Sequence, residues 1–423
     1  MGQIQPNLRR TRRNPIPAVV VTVVGMLLVL GSHLLTVFTQ PGRESDQTVP
    51  LFPSTVASYS WWTPQLAPAT VDAALMVYQN GVGVEFLDLP QAVLLGTDGS
   101  TYRRLGAAEA LTIPVDQGDP AETRLSPDGS FVVIAGAGGD GEVQVMSLAD
   151  GAQRSIPIGA GRSAIPVGIG ADSTSVLLLT SDASMSPLSD MNFRLHGTLG
   201  VLDLESGNLR EYPGVSDVNS AALSPDGESI AADTENGIIL VDVADGSVVD
   251  TGLGTAGMLL DGDAFSPDGV SFGYLTGDQL TIVDTSATTP VGRTVALQGT
   301  GYGSLVGWRD DRTALLHWSE MDGSNASHFA WVDVDTGEQR MVSDYTTGFT
   351  GAALAGPDLA RDLVATMQVQ DRGVDQGVIP VVLALVLVGL LGVATWRLTP
   401  RRPRVAGDRE PRAGTEEADR LGA

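Results

Sequence analysis

Leu125-Ser126-Pro127-Asp128-Gly129, Leu223-Ser224-Pro225-Asp226-Gly227 and Phe265-Ser266-Pro267-Asp268-Gly269 are three copies of one stretch, each set between two short strand-like segments. Proline presets φ early in a turn, aspartate accepts hydrogen bonds from the backbone just ahead of it, and glycine takes a positive φ without steric cost. Each copy therefore reads as a hairpin corner, with Asp128, Gly129, Asp226, Gly227, Asp268 and Gly269 as structural turn residues. Weaker copies stand at Gly170-Ala171-Asp172-Ser173, Trp308-Arg309-Asp310-Asp311 and Gly356-Pro357-Asp358-Leu359. The six begin at 126, 170, 224, 266, 308 and 356, a period that marks a repeated supersecondary unit.

A second turn alternates with the first: Thr97-Asp98-Gly99, Ala149-Asp150-Gly151, Glu205-Ser206-Gly207, Ala244-Asp245-Gly246 and Asp335-Thr336-Gly337. Most copies follow an apolar β-type run such as Ile238-Ile239-Leu240-Val241-Asp242-Val243. Two hairpin turns in each repeat require four short strands per unit, and four-stranded units repeated in series are the blades of a β-propeller. The expected fold class is all-β.

The run of Ser-Pro-Asp-Gly, an apolar strand, a strand ending in Val-Asp-Val and an Asp-Gly turn resembles the WD-repeat-like blades of TolB-type propellers, over roughly residues 90–370. The resemblance implies a fold and a habit of protein or ligand binding, and names no reaction. The order of the turns predicts six blades, the last closed by two strands from each end of the repeat region. Strand-like runs at 73–78 and 82–87 leave seven as the alternative. Closure by two and two would bring both linkers to the face of the middle loops.

Uncharged apolar runs flank the repeats at 16–38 and 378–396, and with Arg397 the second is read as a transmembrane helix over 378–397. Each is about as long as the roughly 20 residues that cross a hydrocarbon core. Arg9, Arg10, Arg12 and Arg13 precede the first, and Arg397, Arg401, Arg402 and Arg404 close the second. Positive charge stays cytoplasmic, so the reading is a two-pass cell-membrane protein. Its parts are a cytoplasmic basic N-terminus at 1–15, a linker at 39–72, an extracytoplasmic propeller at 73–370 and a cytoplasmic disordered tail at 398–423. Gly25, Gly31, Gly389 and Gly392 are places where the two spans can pack closely.

The net charge of -25 is unevenly spread. The stretch between the runs holds 45 acidic residues against 14 arginines, which excludes a nucleic-acid partner, since polyanions need a basic footprint. Cysteine is absent, ruling out thiol chemistry and a thiolate metal site. No histidine pair has zinc spacing, and no Gly-x-Ser-x-Gly elbow is present. His317, in Ala314-Leu315-Leu316-His317-Trp318, reads as a core histidine. Asp261-Gly262-Asp263 and Gly138-Gly139-Asp140-Gly141-Glu142 offer oxygen ligands, but neither begins an EF-hand loop. No cofactor is expected, and calcium is kept only as an alternative.

Function is then expected in long loops on a rigid scaffold. The two longest insertions, 181–196 and 320–328, put forward Met191, Phe193, His196 and His328 as partner-binding residues. The reading is a non-enzymatic binding, scaffold or sensor module for a membrane-associated protein complex or a small ligand. The alternative is an extracytoplasmic hydrolase of glycans or peptides with loop-borne catalytic residues.

Overall fold

The computed structural model describes residues 18–28, 49–60, 63–67, 69–81, 90–112, 118–185, 197–254, 262–287, 289–298, 302–320, 324–347, 352–371 and 379–398. The chain forms two units, Thr36–Gly377 and Met1–Leu35 with Val378–Ala423.

In the larger unit each Ser-Pro-Asp-Gly stretch turns the chain from the innermost strand of a blade into the second. Gly129, Gly227 and Gly269 hold φ of 74°, 73° and 71°. Their N–H groups donate to the carbonyls of Ser126, Ser224 and Ser266 at 2.8, 2.9 and 2.9 Å. The serine is the buried member of the corner: Ser126 Oγ donates to Asp128 Oδ1 at 2.7 Å and accepts from Phe131 N at 3.0 Å. The same pair of bonds recurs at Ser224 and Ser266.

Six antiparallel blades follow from these corners, making the fold a six-bladed all-β propeller. Blade one holds Glu122–Leu125, Phe131–Ala135, Glu142–Ser147 and Gln153–Pro157; blade two Ser163–Ile169, Ser175–Ser181, Thr198–Asp203 and Leu209–Glu211; blade three Val218–Leu223, Ser229–Thr234, Gly237–Asp242 and Val248–Leu253. Blade four has Ser271–Thr276, Gln279–Asp284 and Val291–Ala296, with Phe265 bridged to Phe272 on the inside. Blade five is built of Tyr302–Asp310, Thr313–Ser319, Ser327–Asp333 and Gln339–Tyr345. The period-2 alternation of each strand feeds two neighbours. Val132 and Ile134 pack toward blade six, while Val133 and Ala135 pack toward blade two. Among the described residues there are six apolar clusters, one for each interface between blades.

Closure differs from the expected two and two. Blade six takes one strand from the C-terminal side, Leu354–Leu359, and three from the N-terminal side, Ala74–Asn80, Gln91–Gly96 and Tyr102–Arg104. Gly356-Pro357-Asp358-Leu359 is no corner, because it lies within the inner strand across a bulge, and the short helix Arg361–Val364 comes next. The chain therefore leaves the inner strand and enters the second on the face of the Ser-Pro-Asp-Gly corners, where Ala74 N donates to Gly129 O at 2.8 Å. The two-and-two closure expected from the turn order is thereby overturned, yet the chain then runs back along Gln368–Gln370 to Asp371, which accepts from Ser54 Oγ beside Asp344 at the middle-loop end of blade five. Ala74–Asn80 belongs to this shared blade rather than to a seventh, and 82–87 lies outside the described residues.

Part of the stretch expected as a linker is also strand. Leu51–Pro53 pairs in parallel with Gln368–Gln370, and Thr55–Val56 adds a fifth strand to blade five. Phe52 and Val56 are buried in the interface of blades five and six, with the Phe52 ring 5.3 Å from that of Phe329. Trp61 and Trp62 lie outside the described residues.

The smaller unit holds a helix at 18–28 and the helix Ile379–Leu398. A Cβ added to Gly25 would meet Val388 at 2.7 Å, and one on Gly392 would strike the Thr22 hydroxyl. The two helices are therefore antiparallel and close where glycine removes the side chain. Gly389 has open space around it, and Gly31 lies outside the described residues. Among the described residues no helix is long and apolar enough to cross a membrane.

Candidate functional site

The insertion before His328 emerges from blade five between Thr313–Ser319 and Ser327–Asp333. Alternation sends Leu315 and His317 toward blade six and Leu316 and Trp318 toward blade four. His317 is buried against Phe329, ring centroids 4.9 Å apart, and its Nε2 has no hydrogen-bond partner among the described residues. Burial, with His328 nearby as the lesser cause, pushes its pKa down to about 3, so it is a neutral core histidine.

His328 stands opposite Trp318 in the ladder and its ring lies over the indole at 5.4 Å. Its Nδ1 faces Asp344 Oδ1 at 2.8 Å, and its Nε2 faces Glu320 Oε1 at 3.0 Å. Asp344 is placed there as the register partner of His328 in the outer strand, and Glu320 by its N–H bond to Ala326 O at 2.8 Å. An imidazolium can donate to both carboxylates, whereas a neutral ring can donate to one. Glu320 and Asp344 keep 43% and 53% of their side-chain surface in solvent, so they can accept further donors. Sequence reading found His328 through the length of its loop but missed Asp344, which only strand register brings beside it. Met191, Phe193 and His196 lie outside the described residues.

At the axis, charged groups meet on the corner face. Arg361 extends from its short helix and donates to Asp263 Oδ1 from Nε and Nη2, at 3.1 and 3.0 Å, and to Ile169 O at 3.3 Å. It thus ties the end of blade six to the inner edges of blades two and four. Asp358 accepts from Leu125 N at 2.5 Å and pairs with Arg124 at 3.6 Å, while Arg124 Nε donates to Pro166 O at 3.3 Å. Gly262 and Gly168 approach across the ring so closely that a Cβ on Gly168 would lie 3.5 Å from Gly262 Cα. These contacts bridge the inner strands of blades one, two, four and six across the axis.

Each corner aspartate commits its Oδ1 to its own turn. Burial alone would raise the Asp128 pKa, but donation from Ser130 N and from the Ser126 and Ser130 hydroxyls holds it below the usual carboxylate range. Asp226 and Asp268 accept from Glu228 N and Val270 N in the same way, each at 3.0 Å. Among the described residues no three His, Asp or Glu side chains gather so as to hold a metal ion. Asp263, from one of the acid clusters, is taken by Arg361, and Asp261 lies outside the described residues.

No family model matches the chain, and no curated protein does. Among solved structures it is similar to TolB from Acinetobacter baumannii, at 16% identity and a TM-score of 0.46 over 70% of this chain and 69% of that one. An oligogalacturonate lyase in complex with manganese is similar at 14% identity and a TM-score of 0.40, over 68% and 77% of the two chains. Kuenenia stuttgartiensis hydrazine synthase follows at 13% identity and 0.35, over 53% and 65%.

Proposed function

We propose that the protein is a membrane-held, non-enzymatic propeller acting as a scaffold or sensor for a membrane-associated protein complex. Both termini are cytoplasmic and the ring is extracytoplasmic. The anchoring rests on the surface of the two helices. Val20, Val24, Leu27 and Leu28 of the first and Val386, Leu390, Leu391 and Val393 of the second are each about half exposed or more. An exposed apolar surface of this extent, on the sides of the two helices turned away from each other, is stable in lipid and costly in water.

The observation that carries the binding reading is the acidic pair on the loop face, where Glu320 and Asp344 flank His328 and keep 43% and 53% of their side-chain surface in solvent. At the axis Arg361, Asp263, Arg124 and Asp358 engage one another and main-chain carbonyls. In a domain so acidic Glu320 and Asp344 suit a lysine- or arginine-bearing segment of a partner.

Affinity capture of the full-length chain from detergent-solubilised membranes tests this reading. The expected result is a stoichiometric partner that is lost when Glu320→Gln and Asp344→Asn are combined, with melting unchanged. Turnover of a glycan or peptide substrate that disappears on replacing one loop carboxylate would replace this reading by the hydrolase alternative.

A further inference from the structure

Blade one departs from its own repeat at the place where a groove opens. In blades two to five the residue that starts the second strand faces the residue that ends the third as a hydroxyl–acid pair. The pairs are Ser175 with Asp203, Ser229 with Asp242, Ser271 with Asp284 and Thr313 with Asp333. In blade one the pair is Phe131 and Ser147. The acid of the ordinary pair caps its turn, as Asp203 accepts from Ser206 N at 2.6 Å and Asp333 from Thr336 N at 2.8 Å. Nothing in that role calls for a phenyl ring.

Phe131, Val145 and Leu204 floor a cleft of about 380 Å³ between blades one and two on the corner face. Arg154 and Glu205 stand on its rim, with Ser173 beside them. Ser173 holds a φ of 58° at the corner position where Gly129, Gly227 and Gly269 stand in other blades. A left-handed serine costs about 1 kcal/mol or more, and such strain collects at sites of binding. Two departures from the repeat therefore border the same groove.

Two of the equivalent grooves are occupied by side chains. Between blades two and three Tyr212 donates to Val243 O at 2.9 Å, with Arg210 over its ring at 5.4 Å. Between blades four and five Arg293 donates to Val334 O and pairs with Asp335, both at 2.7 Å. Arg154 keeps the main-chain anchor, donating from Nη1 to Leu204 O at 2.7 Å. Yet Glu205, which stands where Asp335 does, has no ion pair among the described residues. The groove thus offers an apolar floor with one cation and one anion side by side.

We propose that this groove binds a small zwitterion with an apolar body, of the class of aromatic and large aliphatic α-amino acids. The side chain lies on Phe131, Val145 and Leu204, the carboxylate takes remaining N–H groups of Arg154, and the ammonium donates to Glu205. The volume is near the lower end of ligand pockets, in keeping with a ligand of this size.

Calorimetry on the full-length chain in detergent tests it, with L-phenylalanine, L-leucine, 3-phenylpropionate, 2-phenylethylamine and N-acetylphenylalaninamide as probes. Both amino acids bind, with Kd on the order of 0.1 to 1 mM, and the analogues lacking one or both charges bind about tenfold more weakly. Phe131→Ser, which installs the hydroxyl that the other blades carry, abolishes binding. Arg154→Gln and Glu205→Gln, on the exposed rim, each weaken it about tenfold and keep the test open if Phe131→Ser fails to fold. No binding of either amino acid at about 20 mM overturns the proposal. So does equal affinity in a well-folded Phe131→Ser protein, or equal affinity for the amide with both termini blocked.

Discussion

The corners 126–129 and 224–227 share the residues Ser-Pro-Asp-Gly, the positive φ at glycine and the serine–aspartate bond. They differ in what lies outside the turn. The Cβ position of Gly227 faces open space, whereas that of Gly129 is taken by the carbonyl oxygen of Ala74 and lies 3.3 Å from the Ala360 Cβ. Ala74 begins the first N-terminal strand of blade six and Ala360 follows its C-terminal strand. The first corner thus clasps the seam at which the ring closes, and the second merely turns a chain. Identical local chemistry carries unequal weight because only one copy stands where the two ends of the repeat region meet.

The sharpest way to break this comparison is to put a methyl group on each glycine. Gly227→Ala should cost about 1 kcal/mol, the price of an alanine at positive φ. Gly129→Ala should cost about 3 kcal/mol or more, because main chain must also shift to admit the Cβ. Chemical denaturation of both variants measures the difference. Equal losses would mean that the seam yields freely and that the clasp is not a constraint.

A pH-dependent effect concerns the interface of blades five and six, which the N-terminal strands cover. His317 has a folded pKa of about 3 against 6.5 for a free imidazole. The unfolded chain therefore binds the extra proton between these values. The contribution of a neutral His317 is complete above pH 6.5 and is lost as pH falls toward 3, by up to about 1.4 kcal/mol per pH unit. Stability of His317→Leu should fall less steeply than that of the natural protein between pH 6.5 and 4. Parallel curves would show that the seam lets water reach this ring.

The smallest change sharpens the comparison from the open side. The corner at Gly170-Ala171-Asp172-Ser173 keeps the turn bond from Ser173 N to Gly170 O at 2.9 Å and the aspartate contacts, but carries a serine at φ 58°. Ser173→Gly should stabilise the protein by about 0.5 to 1 kcal/mol by removing the left-handed side chain. A loss of stability would show that the Ser173 side chain makes contacts worth more than its strain.

Much of the architecture was legible from the chain because it is local. A Pro-Asp-Gly turn needs only its own residues, and its period of recurrence counts the blades. The six corner positions found in sequence correspond to six blades even though the sixth, at Gly356-Pro357-Asp358-Leu359, is strand rather than corner. That error came from reading a turn signal without knowing that the chain would leave the blade there. The fifth strand at Thr55–Val56 escaped notice because so short a segment gains strand identity only from the neighbour it pairs with. His328 was marked by its loop, while Asp344, sixteen residues on, needed the register of two strands.

By itself the sequence determined the turn chemistry, the alternation that feeds two interfaces from one strand, the acidic surface and the two apolar helices. All of these are properties of neighbouring residues and of composition. The tertiary structure decided how the ring closes, which glycine is indispensable, which acids surround His328 and which arginine bridges the inner strands at the axis. Those depend on residues far apart in the chain, as Tyr345 and Asn80, 265 positions apart, are when the tyrosine hydroxyl meets Asn80 Oδ1 at 3.1 Å. A contact of that kind has no period and no local propensity, so it exists only once the chain has closed on itself.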